Sequence, residues 1–524
     1  MNNSAASKTL SVDKSASLFC IQPEDTHRPA TNMHRKQSLD YFNQSFERVP
    51  VRSRSTNEFS FADAYFNAST IRLSQNGSNA CSPTNADQLN TKKKATPMNQ
   101  NNQNQSFAAF IGLDKSDKKI NVSLQRCGTA KIERSIIKGG AEALHAWVAT
   151  LCTRFAHRQV AICLEQPAAG LIHGLMGYDF IVLFPINPMT LARYREAFTP
   201  SRAKDDPTDA DFLCELVALH REQLKAWQPD DVCTRKLRHL TQARRRSVNM
   251  RTRLSNQLKA LLKGYFPQAL ELCGDELTTP MACALLQKWS SLQQLKRARA
   301  ETIRRFYYAQ NARRGDVIEK RLALIAQAVP LTNDPALIES SIITVQALAL
   351  GLRAVHTAIS RYDREIARTF AQHPDASLFA ALPGSGTAYS ARLLAAFGSR
   401  RELFESAEAM LNFSGVAPVL KRSGQATLIH RRYARPLFVH QSFIEYANES
   451  IRHSLWARAF YQMHKAAQKS HWVIIRALAY KWIRILFRCW QERTPYDEIR
   501  YLRSLQKSRS PLLQYLAQPA IQTA

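Results

Sequence analysis

Several features that mark common protein classes are missing from this sequence. The ten cysteines include no CxxC pair, and no histidine–cysteine spacing suits zinc. A run of about 18 apolar residues is also missing, so no membrane span is expected. The start MNNSAASKTLSVDKS lacks the apolar core of a secretory signal, and no P-loop glycine motif argues for an ATP-driven enzyme. These absences predict a reducing, cytoplasmic setting, with Cys163 and Cys214 as small core residues.

Acidic residues are scarce relative to basic ones. The 524 residues include 72 Lys and Arg but 42 Asp and Glu, which gives a formal net charge of +30. This excess predicts an anionic partner, with nucleic acid as the first candidate and an acidic membrane surface as the second. Against that background, the stretch AKDDPTDADF at residues 203–212 places four acids within seven positions.

Composition divides the chain into five regions. Residues 1–105 are rich in Asn, Ser, Gln and Thr and are predicted to be a disordered extension, with translation expected to start at Met98. Strand and helix patterns alternate over residues 106–222, which predicts an α/β domain. Helical, basic sequence follows over 223–378, then a compact region over 379–505 and a tail over 506–524.

The helical region carries a run of unbalanced arginines. Residues 234–266 place leucines at helical spacing and contain no acid, which predicts a long helix pair or coiled coil with basic exposed faces. A pair of that length is expected to hold its two flanking domains apart. The arginines expected to contact nucleic-acid phosphates are Arg244, Arg245, Arg246, Arg251 and Arg253.

A second basic helix is predicted near the end of the chain. The segment WVIIRALAYKWIRILFRCWQER is strongly amphipathic, and its bulky apolar residues are expected to pack on preceding helices. The basic side chains expected to point outward are Arg476, Lys481, Arg484 and Arg488.

Two apolar runs end in a single acid. FIGLD ends at Asp114 and AICLE ends at Glu165, and a strand that ends in this way brings its carboxylate to the edge of a sheet. Asp206 precedes a proline and is expected to begin a helix, with Asp209 one turn later. Four such acids can hold two magnesium ions for phosphoryl transfer. Asp205 competes with Asp206, because it is also one turn from Asp209.

Three Ser–Gly pairs follow in the last third of the chain, beginning at Ser385, Ser414 and Ser423. A single Ser–Gly pair is typical of a turn. Lys421 and Arg422 next to Ser423 favour the approach of a phosphate. Ser385 lies in a PGSG loop before a helix, which suits binding of a backbone phosphate through amide N–H groups.

Taken together, these segments resemble a known family. FIGLDKSDKKINVSL, CLEQP and SRAKDDPTDADFL are similar to the RuvC-like N-terminal domain of the DEDD transposases of the insertion-sequence 110 family, which are related to the Piv DNA invertases. LPGSGTAYSARLLAAFG and FSGVAPVLKRSGQAT resemble the second, transposase-specific domain of that family. The resemblance covers roughly residues 107–502 and omits the N-terminal extension.

The resemblance implies an α/β RNase H-like (RuvC-like) domain, a long helical or coiled-coil insertion and a mainly α-helical C-terminal domain. It assigns a metal-binding tetrad, with Mg²⁺ as the expected cofactor, to Asp114, Glu165, Asp206 and Asp209. Ser423 would be the nucleophile that forms a covalent phosphoserine link to DNA. The segment after it, LIHRRYARPLFVHQ, is basic but departs from the glycine-rich family pattern, which leaves the details of that loop open.

The resemblance also implies partners: DNA, a structured guide RNA encoded by the element, and further copies of the chain in a homodimer or tetramer. A bacterial, nucleoid-associated protein is therefore expected. Two other functions use the same features. A metal-dependent nuclease or junction resolvase would use water as nucleophile and leave Ser423 structural. A non-catalytic nucleic-acid-binding regulator would not need the acids at all.

Overall fold

The computed structural model describes residues 106–166, 169–198, 206–274, 276–424 and 426–516, all of which belong to one structural unit. The predicted disordered extension over 1–105, the predicted start at Met98, Asp205 and the end of the 506–524 tail lie outside the described residues.

Five strands form one mixed sheet, in the order β3–β2–β1–β4–β5. In chain order they are β1 (Ala109–Lys115), β2 (Lys119–Arg126), β3 (Ile132–Lys138), β4 (Val160–Glu165) and β5 (Ile181–Ile186). β1 pairs antiparallel with β2, which pairs antiparallel with β3, so these three strands form a meander. On its other side β1 pairs parallel with β4, and β4 pairs parallel with β5.

Helices cover both faces of the sheet. They are α1 (Ala141–Phe155), α2 (Ala169–Leu175), α3 (Pro188–Phe198) and α4 (Asp206–Leu219). One core joins the first two helices to the sheet, and a second core joins α3 and α4 to the opposite face. The predicted α/β domain is therefore confirmed, as is the helix expected to begin at Asp206. Cys163 and Cys214 are fully buried core residues, as predicted.

Two long helices dominate the middle of the chain. They are α5 (Val232–Tyr265) and α11 (Pro335–Ala371), and between them lie α6 (Ala269–Cys273), α7 (Pro280–Lys288), α8 (Leu292–Lys296), α9 (Ala300–Ala309) and α10 (Gly315–Gln327). α5 and α11 pack along each other, which confirms a long helix pair. Coiled-coil geometry stays a prediction.

The helix pair is antiparallel, because α11 returns along α5. Arg244 forms an ion pair with Asp363, whereas Leu254, further along α5, contacts Gly351. The flanking domains consequently lie at the same end of the pair, where Lys225 donates a hydrogen bond of 3.2 Å to the carbonyl oxygen of Leu403. The expectation that this pair holds the two domains apart is wrong, because an antiparallel pair returns the chain to the end at which it began.

By length and composition α11 is apolar enough to cross a membrane, which corrects the expectation that no such segment exists. The same test is passed by core helices of soluble proteins. Val345, Ala349 and Leu352 of this helix are fully buried in the helical core formed with α5 and α7. Packing therefore explains one apolar face of this helix, whereas Ile343 and Leu350 are 70% and 59% exposed.

The last part of the chain is mainly helical, with one two-stranded hairpin. Its elements are α12 (Ala376–Ala380), α13 (Gly386–Phe397), α14 (Ala407–Ser414), β6 (Val419–Ser423), β7 (Ala426–His430), α15 (Leu437–His453), α16 (Leu455–Ala466), α17 (His471–Glu492) and α18 (Glu498–Lys507). The apolar side of α17 is buried in this core, as predicted. Arg484 and Arg488 are exposed, but Arg476 and Lys481 are half-buried rather than outward.

Candidate active site

Asp114 and Glu165 lie at neighbouring strand ends. In the parallel pair of β1 and β4, Leu113 is opposite Leu164, so the two acids come next at the same edge of the sheet. Because side chains alternate along a strand, both acids lie on the face that carries Gly112, which is the face covered by α4. Both carboxylates are half-buried. The predicted approach of these two acids is what the strand register produces.

Helix α4 lies unusually close to β1 at Gly112. A Cβ atom at this glycine would lie 2.0 Å from the carbonyl oxygen of Ala210, and the Cys214 thiol donates to the Phe110 carbonyl at 3.3 Å. Residue 214 of the helix therefore lies beside residue 110 of the strand, and residue 210 lies beside residue 112. Four helical residues rise about 6 Å and two strand residues about 6.6 Å. The next step brings the backbone of residue 206 to the level of Asp114.

Substitution of Gly112 by alanine is expected to disrupt this approach. The added methyl group would overlap the backbone of α4, so the free energy of unfolding should fall by about 1–3 kcal/mol or more, and DNA cleavage should be lost. Chemical denaturation and a strand-cleavage assay measure both effects. Gly170→Ala is the matched control, since a Cβ there meets nothing within 4 Å. Strand cleavage by Gly112→Ala at the wild-type level would show that cleavage does not depend on the position of α4.

Asp209 is buried and faces a cation supplied by the chain itself. Its side chain is 4% exposed, and its Oδ1 accepts a hydrogen bond of 2.5 Å from Nη1 of Arg195 on α3. The neighbouring acid, Asp211, has a different role, because it accepts hydrogen bonds from Ser123 at 2.6 Å and from Arg134. Asp209 thus lies where a positive charge is required, whereas Asp211 ties α4 to β2 and β3.

Asn121 belongs to this site and was missed by sequence reasoning. It lies on β2 directly opposite Asp114 and is 3% exposed. Neither end of its side-chain amide has a hydrogen-bond partner among the described residues. A buried amide without partners costs about 1–3 kcal/mol, which makes it a mark of a functional position. The available signal was a polar residue inside the otherwise apolar strand KINVSL.

The residues fit a magnesium ion by the chemistry of their donors. Carboxylate oxygens are the ligands that hard divalent cations prefer, and the guanidinium of Arg195 already supplies a positive charge to Asp209. Among the described side chains, no group of three His, Cys, Asp or Glu residues is arranged to hold a metal. The side chain of Asp206 and the competing Asp205 are outside that description. The set of four acids stays a prediction.

The three Ser–Gly pairs have very different environments. Ser414 is fully buried and donates to the Leu411 carbonyl at 3.1 Å. Ser385 is 2% exposed and donates to the carbonyl oxygens of Phe379 and Leu382. Ser423 instead is exposed at the end of β6, before a tight turn. Of these three hydroxyls, Ser423 alone is accessible to a large substrate.

Glycine geometry explains two of these positions. Gly424 has a φ of 56°, the left-handed conformation that a two-residue hairpin turn requires and that glycine adopts most readily. In the PGSG loop, a Cβ at Gly384 would lie 2.3 Å from the His453 ring, so that imidazole covers the loop. Phosphate binding by the Ser385 loop is therefore not favoured by its surroundings.

The predicted nucleic-acid contacts fall into two groups. Arg244 pairs with Asp363 of α11, and Arg245 pairs with Glu445 of α15 at 3.1 Å. The acids that balance these arginines lie on other helices, outside residues 234–266, so that segment alone could not reveal them. The remaining predicted contacts, of which Arg251 is half-buried and the others are exposed, are Arg246, Arg251, Arg253, Lys421 and Arg422. Contact with nucleic acid stays a prediction for all seven.

Comparison with known proteins gives consistent matches. A transposase family model of the DEDD, IS110 type matches residues 111–267, and a model of the IS116/IS110/IS902 transposase family matches residues 376–462. The mini-circle putative transposase for IS117 of Streptomyces coelicolor is 26% identical over 339 residues, which cover 64% of this chain and 80% of that protein. The uncharacterized 43.6 kDa protein of insertion element IS110, also from Streptomyces coelicolor, is 25% identical over 350 residues, with 64% and 83% covered.

A third relative comes from Mycobacterium paratuberculosis. The uncharacterized 42 kDa protein of insertion element IS900 is 27% identical over 296 residues, which cover 56% of this chain and 73% of that protein. The first family match contains Asp114, Glu165, Asp206 and Asp209, and the second contains Ser423. Both parts of the candidate site thus lie inside the matched segments.

Proposed function

Because the chain belongs to the IS110 family of transposases, we propose that it cuts and rejoins the DNA of an insertion sequence with the acids of its α/β domain and Ser423. The observation that carries this proposal is the joint position of Asp114 and Glu165 at adjacent strand ends under α4, the helix that also carries Asp209. Two acids that are far apart in the sequence thus come to one edge of one sheet, and the helix that carries Asp209 covers the face on which they lie.

The α/β domain is proposed to be RNase H-like. Its sheet has three antiparallel strands followed by two parallel ones, in the order β3–β2–β1–β4–β5, and helices cover both faces. The acids at the ends of the central pair, β1 and β4, lie where substrate can approach. This topology supports the proposal, since it places the first two acids side by side without any loop rearrangement.

The carboxylates of Asp114, Glu165, Asp206 and Asp209 are proposed to hold Mg²⁺. Bound Mg²⁺ supplies Lewis-acid polarisation of a phosphodiester. Arg195 positions Asp209 through their ion pair, and Asn121 offers an amide donor and acceptor opposite Asp114. Gly112 permits the close packing of α4 against β1, the strand that carries Asp114.

Ser423 is proposed to attack the scissile phosphate. Its Oγ forms a bond to phosphorus, the bond from phosphorus to one deoxyribose oxygen breaks, and that oxygen takes up a proton as it leaves. The proton of the serine hydroxyl passes to a nearby carboxylate or to solvent. The number of phosphoester bonds is unchanged, so a second hydroxyl can reverse the step and rejoin DNA without ATP.

The proposed partners are DNA, a structured guide RNA and further copies of the chain. A formal net charge of +30 suits a polyanionic partner. Delegating sequence recognition to base pairing fits a protein that reads backbone and shape. The exposed hairpin also shows large apolar side chains, since Leu420, Leu428 and Ile429 are 56–63% exposed. An isolated two-stranded hairpin is marginally stable, which favours a partner that covers it.

A covalent-adduct assay tests the proposed function. DNA labelled on one strand is incubated with protein and Mg²⁺, and the products are separated under denaturing conditions. Wild-type protein is expected to retain label through a protein–DNA bond, and Ser423→Ala is expected to lose it completely. Thr427→Ala is the matched control, because it removes an exposed hydroxyl from the same hairpin. Cleavage without any adduct in Ser423→Ala would identify a nuclease that uses water instead.

A further inference from the structure

Four arginines converge at the base of the hairpin that carries Ser423. Arg431, Arg432 and Arg435 lie in the loop between β7 and α15, and Arg476 reaches them from α17. The positive charges of Arg431 and Arg476 lower the pKa of Arg435, after the larger effect of its burial. We call these four residues the arginine cluster.

The arginine cluster has no acidic counterpart in the part of the chain that the structure describes. Among the described residues, none of its four members forms an ion pair with a carboxylate. The Nε atoms of Arg431, Arg432 and Arg435 are buried and have no hydrogen-bond partner. The contacts that do exist are to neutral groups, such as the bond of 3.1 Å from Arg432 Nη2 to the Asn412 side-chain oxygen.

This arrangement is unfavourable for the free protein. Half-buried like charges repel one another, and unpaired buried donors lose their hydration. The same positive field acts on His440, whose pKa is lowered to about 4 by burial and then by the charge of Arg435. Elsewhere in the chain buried arginines are paired, as Arg238 is with Asp230 at 2.6 Å. The members of the cluster lack such a carboxylate partner among the described residues, as do the half-buried Arg221 and Arg235.

The fold nevertheless holds the cluster in place. A Cβ atom at Gly415 would lie 2.3 Å from Cδ of Arg435, so the glycine of the FSGVAP segment provides the space for that side chain. Asn412, one turn earlier on α14, binds Arg432. Asn412 of α14 and Gly415, directly after that helix, thus fix two guanidinium groups. A site that is built in this way despite mutual repulsion is prepared for an anion.

We propose that the arginine cluster binds backbone phosphates of the DNA strand that Ser423 attacks, a proposal that rests on the proposed function. Strand β7 leads from the hairpin turn to the cluster over four residue steps, or about 13 Å. DNA advances about 3.4 Å per nucleotide, so the bound phosphates lie about four nucleotides from the attacked bond. Tyr433, 77% exposed between the arginines, is placed to stack on a base.

The test measures DNA binding in a Ser423→Ala background, which removes covalent chemistry from the readout. Arg431→Gln and Arg476→Gln are each expected to weaken binding of a duplex about 10-fold or more. The slope of log affinity against log salt should fall by about 0.9 per lost phosphate contact. Arg484→Gln is the matched control, because this arginine is exposed on the same helix as Arg476. Equal effects of Arg484→Gln and Arg476→Gln would overturn the proposal.

Position along the DNA is tested with neutral methylphosphonate linkages placed one at a time. A neutral linkage should weaken binding by the wild-type cluster at one or two positions about four nucleotides from the attacked bond. Binding by Arg431→Gln protein should not change when the linkage is placed at those same positions. Uniform sensitivity along the strand, or losses seen with single-stranded RNA of the same sequence but not with DNA, would overturn the assignment to DNA.

Thermal unfolding without DNA gives a third readout. Because the cluster repels itself, Arg431→Gln and Arg476→Gln should unfold at the same temperature as wild type or a higher one, and a short DNA duplex should stabilise wild type more than either variant. A lower unfolding temperature in both variants would show a packing role. If no adduct forms but the cluster variants still weaken DNA binding, the proposed function alone is rejected. If the adduct forms but the cluster variants bind DNA as wild type does, this inference alone is rejected.

Discussion

Alanine at Asp114, Glu165, Asp206 or Asp209 is expected to abolish strand cleavage and to leave nucleic-acid affinity unchanged or slightly higher. Carboxylates hold metal but repel phosphate, so their removal costs catalysis without costing binding. The loss of cleavage rate should be roughly 10⁴-fold or more, as for removal of other essential catalytic groups. Single-turnover cleavage and equilibrium binding, measured on the same DNA, separate the two effects.

Neighbouring acids supply the controls for this experiment. Asp205→Ala is expected to retain activity, and Asp211→Asn should retain it as well, because Asp211 binds Ser123 and Arg134. Asp209→Asn should accompany Asp209→Ala, since alanine leaves the Arg195 guanidinium without its partner. An inactive Asp205→Ala beside an active Asp206→Ala would shift the third acid by one residue. Binding that falls together with cleavage would count against the metal role.

Mixing two inactive proteins is expected to restore cleavage of one strand. In the proposed assembly, the acids of one copy act with Ser423 of another, so Asp114→Ala and Ser423→Ala proteins complement each other in mixed dimers. One composite site is then intact and the other lacks both groups, which limits recovery to one strand. The measurement is cleavage of each labelled strand after the two proteins have exchanged subunits.

The complementation experiment must distinguish this assembly from a site that is built within one chain. The α/β domain and the C-terminal helices are adjacent, because Trp227 packs against the cores of both, so a site within one chain is the competing arrangement. A protein that carries both substitutions should be inactive alone. When it is mixed with wild-type protein, it should not prevent cleavage by the wild-type copies. Subunit exchange without any recovered cleavage would establish that each chain builds its own site.

Local patterns predicted the elements of the fold and the first part of the site. Apolar runs that end in an acid mark β1 and β4, and Asp206 before a proline marks the start of α4, because each signal arises within a few residues. The partners of Arg244 and Arg245 could not be predicted in this way. Asp363 and Glu445 lie more than a hundred residues further along the chain and meet them only through packing.

Two candidate functional positions, Asn121 and the arginine cluster, were missed for the same reason. The importance of Asn121 depends on its register with Asp114 across β1 and β2, and that register follows from pairing rather than from composition. Arg431 and Arg476 form a cluster only once α17 packs against the loop after β7. A sequence gives the number of positive charges, but not which of them lack a carboxylate neighbour.

Because α5 and α11 are antiparallel, their lengths set the distance between the two ends of the helix pair. Leu237 belongs to the core of the C-terminal helices, whereas Leu258 belongs to the core formed with α6–α10, and about 32 Å of helix separates these two leucines. Seven residues added to each helix would move the far end outward by about 10 Å and keep the same faces together. The reach of the protein is thus set by two helix lengths, independently of either domain at the base.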